Sequence, residues 1–295
     1  MNVEFIAEIS SNHNQNLQRS LRFIDESARI GCDGVKFQLF KVEELFSPEV
    51  FVAKPEVKKR KQWELPLDFL PELSDRCHHH NMKFGVTPFY LQAVEELFQF
   101  VDFYKIASYE LLWSDLLRAC AETKKPVIVS TGMATMDEIN SAVKVLRTSR
   151  CKDLTLLHCV SGYPAPPHQC NLAAINTIRQ AFCCSDLNDN QAIAVGWSDH
   201  SVNPGVVYRA IHRWGAKVIE FHLDLDGTGE EYETGHCWLP ESIKDVIDDV
   251  KTGISSDGNG VKSPVPIEES DRKWRADPLD GLRPLRSMRA TLDKE

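Results

Sequence analysis

The chain has no CxxC pair, no GxGxxG loop, no apolar run of membrane-spanning length and no internal repeat. Each absence removes a class of readings. The cysteines, Cys32, Cys77, Cys120, Cys151, Cys159, Cys170, Cys183, Cys184 and Cys237, are odd in number and scattered, so neither a disulfide framework nor a zinc ribbon is expected. A membrane helix needs roughly 20 consecutive apolar residues, and none is available. The opening MNVEFIAEIS has neither a basic start nor a small-residue cleavage site. Basic residues are also in short supply, 34 against 43 acidic ones for a net charge of −9. That balance argues against a nucleic-acid or anionic-membrane surface. The local exception, Lys58-Lys59-Arg60-Lys61, reads as a solvated loop or helix start. A soluble, reducing, cytoplasmic setting is the expectation.

What is present is a regular alternation. Hydrophobic residues make up 42% of the 295-residue chain, enough for a sizeable core. Strand-like runs fall at 3–9, 34–40, 82–89, 101–108, 126–132, 154–164 with its loop, 192–200 and 217–223. Helical patterns follow at 17–31, 67–80, 94–100 (between the third and fourth strands), 111–123, 136–148, 171–182, 204–215 and 241–254. Strand–helix alternation favours a parallel sheet. Eight such units predict an α/β fold, a closed (β/α)8 TIM barrel over 1–255. An open doubly wound sheet would want the missing Gly-rich dinucleotide loop. From 256 the pattern stops. SSDGNGVKSPVP is linker-like, and the rest of the tail to 295 carries Arg272, Arg275, Arg283, Arg286 and Arg289.

Chemistry in such a barrel sits at the C-terminal strand ends, and all eight ends carry polar groups while most strand starts read as apolar. Glu8 ends the first strand. Lys36 and Gln38 share one face of the second, and Thr87 ends the third. Lys105, then Ser108 and Glu110, close the fourth, and Ser130 the fifth. His158, then Ser161 and Tyr163, follow on the sixth, Ser198-Asp199-His200 on the seventh, and Glu220 and His222 on the eighth. Lys36 and Lys105 with Thr87, Ser108, Ser130 and Ser198 make a cationic, hydroxyl-rich wall suited to a phosphate. His200 and His222, on adjacent strands, are a candidate pair of metal ligands with open positions left for substrate. Structural readings stand beside these. Lys36 can simply pair with Glu8 or Glu220. His158 can be a satisfied hydrogen-bonder, His78-His79-His80 a solvated helix end, and Glu231 and Glu233 loop charge.

The segments AEISSNHN, GVKFQLF, VTPF, YKIASYE, PVIVSTGM, LLHCVSGYPAP, GWSDHS and VIEFHL occur in that order from residue 7 to about 240. In them the chain resembles the N-acetylneuraminate (sialic acid) synthase family, which includes legionaminate, pseudaminate and spore-coat polysaccharide synthases. The resemblance implies condensation of phosphoenolpyruvate with an amino sugar to a nine-carbon 2-keto acid and phosphate, using Mn²⁺ or Mg²⁺. His200 and His222 would hold the metal. Lys36, Thr87, Lys105, Ser108 and Ser130 would hold phosphoenolpyruvate, with Ser198 and Ser161 near its carboxylate. Glu8 would be the acid–base residue, and Gln38, Glu110 and Tyr163 would line the sugar side. Glu220 would orient His222 or Lys36. A homodimer is the family's habit.

The chain departs from the family in four places. It ends soon after the barrel, without the expected antifreeze-like domain, whose arginine Arg272, Arg275 or Arg283 are candidates to replace. The familiar NHNG reads Asn12-His13-Asn14-Gln15. TGEEYETGHCWLP puts Glu233 where an Asp is usual, and Ser161 stands for an Asn. Two other classes stay open: a Schiff-base aldolase or lyase using Lys105 or Lys36, and a non-catalytic sugar-phosphate binder.

Overall fold

In a strand that is part of a barrel every second side chain faces inward, and this rule lays out the molecule. The computed structural model describes residues 3–183 and 193–292. Eight strands follow in chain order: β1 Glu4–Glu8, β2 Gly34–Leu39, β3 Lys83–Pro88, β4 Phe103–Ile106, β5 Val127–Ser130, β6 Leu154–Cys159, β7 Ala194–Asp199 and β8 Val218–Leu223. Each pairs in parallel with the next, and β1 returns to β8 from Glu4↔Val218 to Glu8↔His222, closing the ring. The expected TIM barrel is therefore the fold.

Inward-facing residues stack in layers. Near the N-terminal end, Ile6, Phe103, Ile128, Leu157 and Val218 form one apolar cluster. Burying a side chain of this size contributes about 1.5–3 kcal/mol. Gly85 makes room for it, since a Cβ there would lie 2.1 Å from the Phe103 ring. Two residues further along each strand the interior becomes polar, with Glu8, Lys36, Lys105, Ser130, Ser198 and Glu220 all buried. The barrel is thus plugged below and charged above. The strand starts are less bare than the sequence suggested. Glu4, Lys83, Asp102, Asp153 and Lys217 rim a cavity of about 470 Å³ at the opposite mouth, and Lys83 pairs with Glu4 at 2.9 Å.

Helices alternate with the strands as expected, with shifted ends. The helix expected at 94–100 runs Leu91–Leu97, because Phe100 and Val101 donate back to Leu97 O and turn the chain into β4. The one expected at 204–215 is α-helical only at Pro204–Tyr208 and continues as a π-turn over Arg209–Arg213. Helix Met136–Thr148 starts on a capping box made by Thr135 and Glu138, an arrangement worth about 1 kcal/mol. The basic run Lys58–Lys61 lies exposed in a 3-10 helix, Pro55–Trp63. Features outside the expectations include the short helices Val42–Leu45 and Pro48–Ala53 after β2, the helix Glu230–Glu233 after β8, and β9, Cys237–Trp238, which pairs with β8. Ala192, expected to open the seventh strand, lies outside the described residues, as does Cys184. The cysteines whose side chains are described are free and buried.

The chain divides into a unit ending at Thr252 and a second from Gly253 onward. The second holds 3-10 turns at Pro266–Glu268 and Asp271–Trp274 and a helix at Arg286–Leu292. Its Arg286 and Arg289 are committed to Asp280, at 3.3 and 2.6 Å.

Candidate active site

The C-terminal mouth has two chemically distinct corners. On the first, Lys36 Nζ is in close contact with the Glu8 carboxylate, 3.7 Å from Glu220 and 3.4 Å from Thr87 Oγ1. Lys105 lies 3.7 Å from the other Glu220 oxygen, which accepts a 2.8 Å bond from Ser198. Two cations and two carboxylates thus share a buried floor. Burial pushes Lys36 down to about 8 despite Glu220. Burial works to raise Glu220, but Lys105, Lys36 and Ser198 together hold it at about 2. Glu220 therefore serves the lysines. The expected alternative, that it orients His222, is not what the structure shows.

Hydroxyls converge beside this floor. Gly132 N–H donates to Ser108 Oγ at 3.0 Å. A Cβ on Gly132 would lie 2.3 Å from Ser161 Oγ and 2.8 Å from Ser108 Oγ, so only glycine allows that approach. Ser130 Oγ, Ser161 Oγ and one Glu110 oxygen are buried without a protein partner. Buried polar atoms are normally satisfied, so these are free for a ligand. Burial raises Glu110 to about 7, with Lys105 opposing. Gln38 stands in register with Thr87. Cys159, absent from the expected site, also faces it: burial raises its thiol to about 11, and its sulfur lies 3.8 Å from His200 Nδ1.

The second corner is built of rings. His200 and His222 have centroids 5.2 Å apart, and Tyr163 lies 4.2 Å from His200. His200 Nδ1 is 2.8 Å from Val160 O, and His222 Nδ1 is 2.9 Å from Glu231 Oε2. A carbonyl and a carboxylate can only accept, so both Nδ1 atoms carry the proton and both Nε2 atoms keep a lone pair. Burial lowers both rings, His222 to about 4, so both are neutral near pH 7. Neutral imidazoles whose other nitrogen is anchored are fit to bind a divalent cation.

Glu231, read as loop charge, belongs to this corner. Ser10 and Ser11 donate to it, and although burial works to raise it, His222 and His236 hold it well below the usual carboxylate range. Glu233, expected at the family's Asp position, is exposed. His236 was not foreseen at all. The signal was faint, since its place depends on β9 returning beside β8, with Cys237 in register with His222. His158 takes its structural reading: it points outward and bonds Cys170 O at 2.9 Å. Asp199 likewise faces outward, accepting from the indoles of Trp197 and Trp238 at 3.0 and 2.9 Å. The histidines at the helix end are partnered, His78 by Asp102 and His80 by Asp25.

Comparison with known proteins settles the class. The NeuB family model matches residues 23–262. The chain belongs to the NeuB family. It is therefore an enzyme, related to synthases of nonulosonic acids. An uncharacterized protein of Methanocaldococcus jannaschii is 35% identical over 89% of this chain and 74% of its own length. The N,N'-diacetyllegionaminic acid synthase of Campylobacter jejuni is 31% identical over 90% of this chain and 80% of its own. The solved sialic acid synthetase of Leptospira borgpetersenii superposes with a TM-score of 0.78 at 30% identity, covering 92% of this chain and 90% of that one. In this NeuB-family barrel the altered loop after β1 has a physical account. Gln15 adopts φ +47, a conformation glycine takes freely. Its amide donates to Lys61 O and Glu64 O at 3.0 and 2.9 Å, tying the loop to the segment after β2.

Proposed function

We propose that the enzyme condenses phosphoenolpyruvate with an amino-sugar aldose, giving a nine-carbon 2-keto acid and phosphate with Mn²⁺ or Mg²⁺ bound. The observation that carries this reading is the facing of two corners: buried lysines with unpartnered hydroxyls, opposite two neutral histidines with free Nε2 atoms. Lys36, Thr87, Lys105, Ser108 and Ser130 take the phosphate, and Ser198 and Ser161 the carboxylate. Gln38, Glu110 and Tyr163 line the acceptor side.

His200 and His222 would hold the cation through Nε2. A cation there supplies Lewis-acid polarisation of the acceptor aldehyde. C3 of phosphoenolpyruvate attacks the aldehyde carbon, and C2 becomes electron-poor. Glu8, beside Lys36, removes a proton from the water that adds to C2 and returns it to the former aldehyde oxygen, which becomes a hydroxyl. The tetrahedral C2 then expels phosphate through the C–O bond, and its hydroxyl proton leaves with the phosphate as C2 becomes the ketone. Lys36 and Lys105 stabilise the departing charge, and removing one such group typically costs about 10²–10³ in kcat.

The test is phosphoenolpyruvate labelled with ¹⁸O at the bridging position. C–O cleavage sends the label into the released phosphate. Label retained in the organic product means P–O cleavage and overturns the reading.

A further inference from the structure

Ser10 touches both corners and has no part in the reaction described above. It lies buried just past the end of β1, at φ +49. A residue with a Cβ seldom takes that left-handed conformation, and it persists where the surroundings fix it. Two bonds fix it here, one toward each corner. Its N–H donates to Glu8 Oε1 at 2.7 Å, while the other Glu8 oxygen is in close contact with Lys36 Nζ. Its hydroxyl donates to Glu231 Oε1, to which Ser11 also donates at 3.1 Å. The opposite Glu231 oxygen takes the His222 Nδ1 proton at 2.9 Å. Lys36, Glu8, Ser10, Glu231 and His222 thus form one unbroken line of polar contacts. Glu231 sits on the short helix Glu230–Glu233, which buries none of its residues. Its carboxylate therefore depends on contacts from outside that helix to hold its place.

We infer that Ser10 is a positioning residue for the cation: its hydroxyl holds Glu231, and Glu231 holds the ring of His222, from the same turn that holds Glu8. This rests on the reading of the corner as a cation site. A carboxylate behind a metal-bound imidazole sets the ring's orientation and basicity, and Ser10 acts one bond further out. The left-handed backbone separates this role from mere stability. Glycine and alanine both lose the hydroxyl and keep the N–H to Glu8, but only glycine takes φ +49 without steric cost.

The test is titration of the full-length protein with Mn²⁺, read by the paramagnetic resonance signal of the free ion, with melting temperatures alongside. Ser10→Gly and Ser10→Ala are both expected to raise Kd about threefold or more, and Glu231→Gln about tenfold or more. The glycine variant is expected to melt above the alanine one while binding no more tightly. Wild-type Kd in both Ser10 variants, or in Glu231→Gln, overturns the inference. So does a Kd that follows stability, weakened in the alanine variant and wild-type in the glycine one. If the alanine variant does not fold, the glycine variant decides alone. His200→Ala and His222→Ala separate the two levels. If they lose Mn²⁺ while the Ser10 variants do not, only the role of Ser10 is refuted. If they too bind as wild type, the cation reading fails and the inference with it.

Discussion

Lys36 carries a pH signature. Burial holds it at about 8, below the ordinary 10.5, so the folded enzyme loses this charge as pH rises through 8. An unfolded lysine keeps its proton to about 10.4. Between those values the unfolded chain binds more protons, so the contribution of Lys36 to stability rises with pH, while the burial penalty is fully present below 8. Activity and stability should therefore part on the alkaline side. We predict that kcat/KM for phosphoenolpyruvate falls with an apparent pKa near 8, while the melting temperature shows no matching fall from this group. A flat kcat/KM profile to about pH 9.5 would contradict the role of Lys36. The pairing of Lys36 with Glu8 and Glu220 was legible because strand alternation alone puts them on inward faces. Glu231 was not legible: nothing local distinguishes it from Glu230 or Glu233, and only the fold brings it to His222.

At the scale of elements, the strand-to-helix loops do the positioning, and Gly132 is the clearest case. The space a Cβ would need is held by Ser161 and Ser108. We predict that Gly132→Ala raises KM for phosphoenolpyruvate about tenfold or more, with a melting temperature within a few degrees of wild type, since the clash displaces hydroxyl ends in an open site. An unchanged KM would show that the hydroxyls need not converge. The strands were readable because their periods are regular and their apolar runs bounded. β9 was not, since two residues carry no period. The segment after β2 gave no signal either, being short helices with almost nothing buried.

At the scale of the whole molecule, one polarity organises the chain. An apolar plug closes the barrel below, and charge, hydroxyl and imidazole gather above it. The alternation of units gave the fold class, and the ring of polar strand ends pointed to the candidate site, because both follow from backbone geometry. The loop after β8 escaped because its residues act only once β9 has folded it back. The central claim is a two-substrate condensation over those corners. Its most direct measurement is phosphate release from phosphoenolpyruvate with Mn²⁺, assayed across a panel of N-acetylated amino sugars, with product mass read alongside. We predict phosphate release that depends on one of these sugars and matches, mole for mole, a 2-keto acid three carbons longer than the acceptor. Phosphate release indifferent to every sugar, or none with any of them, would contradict the account.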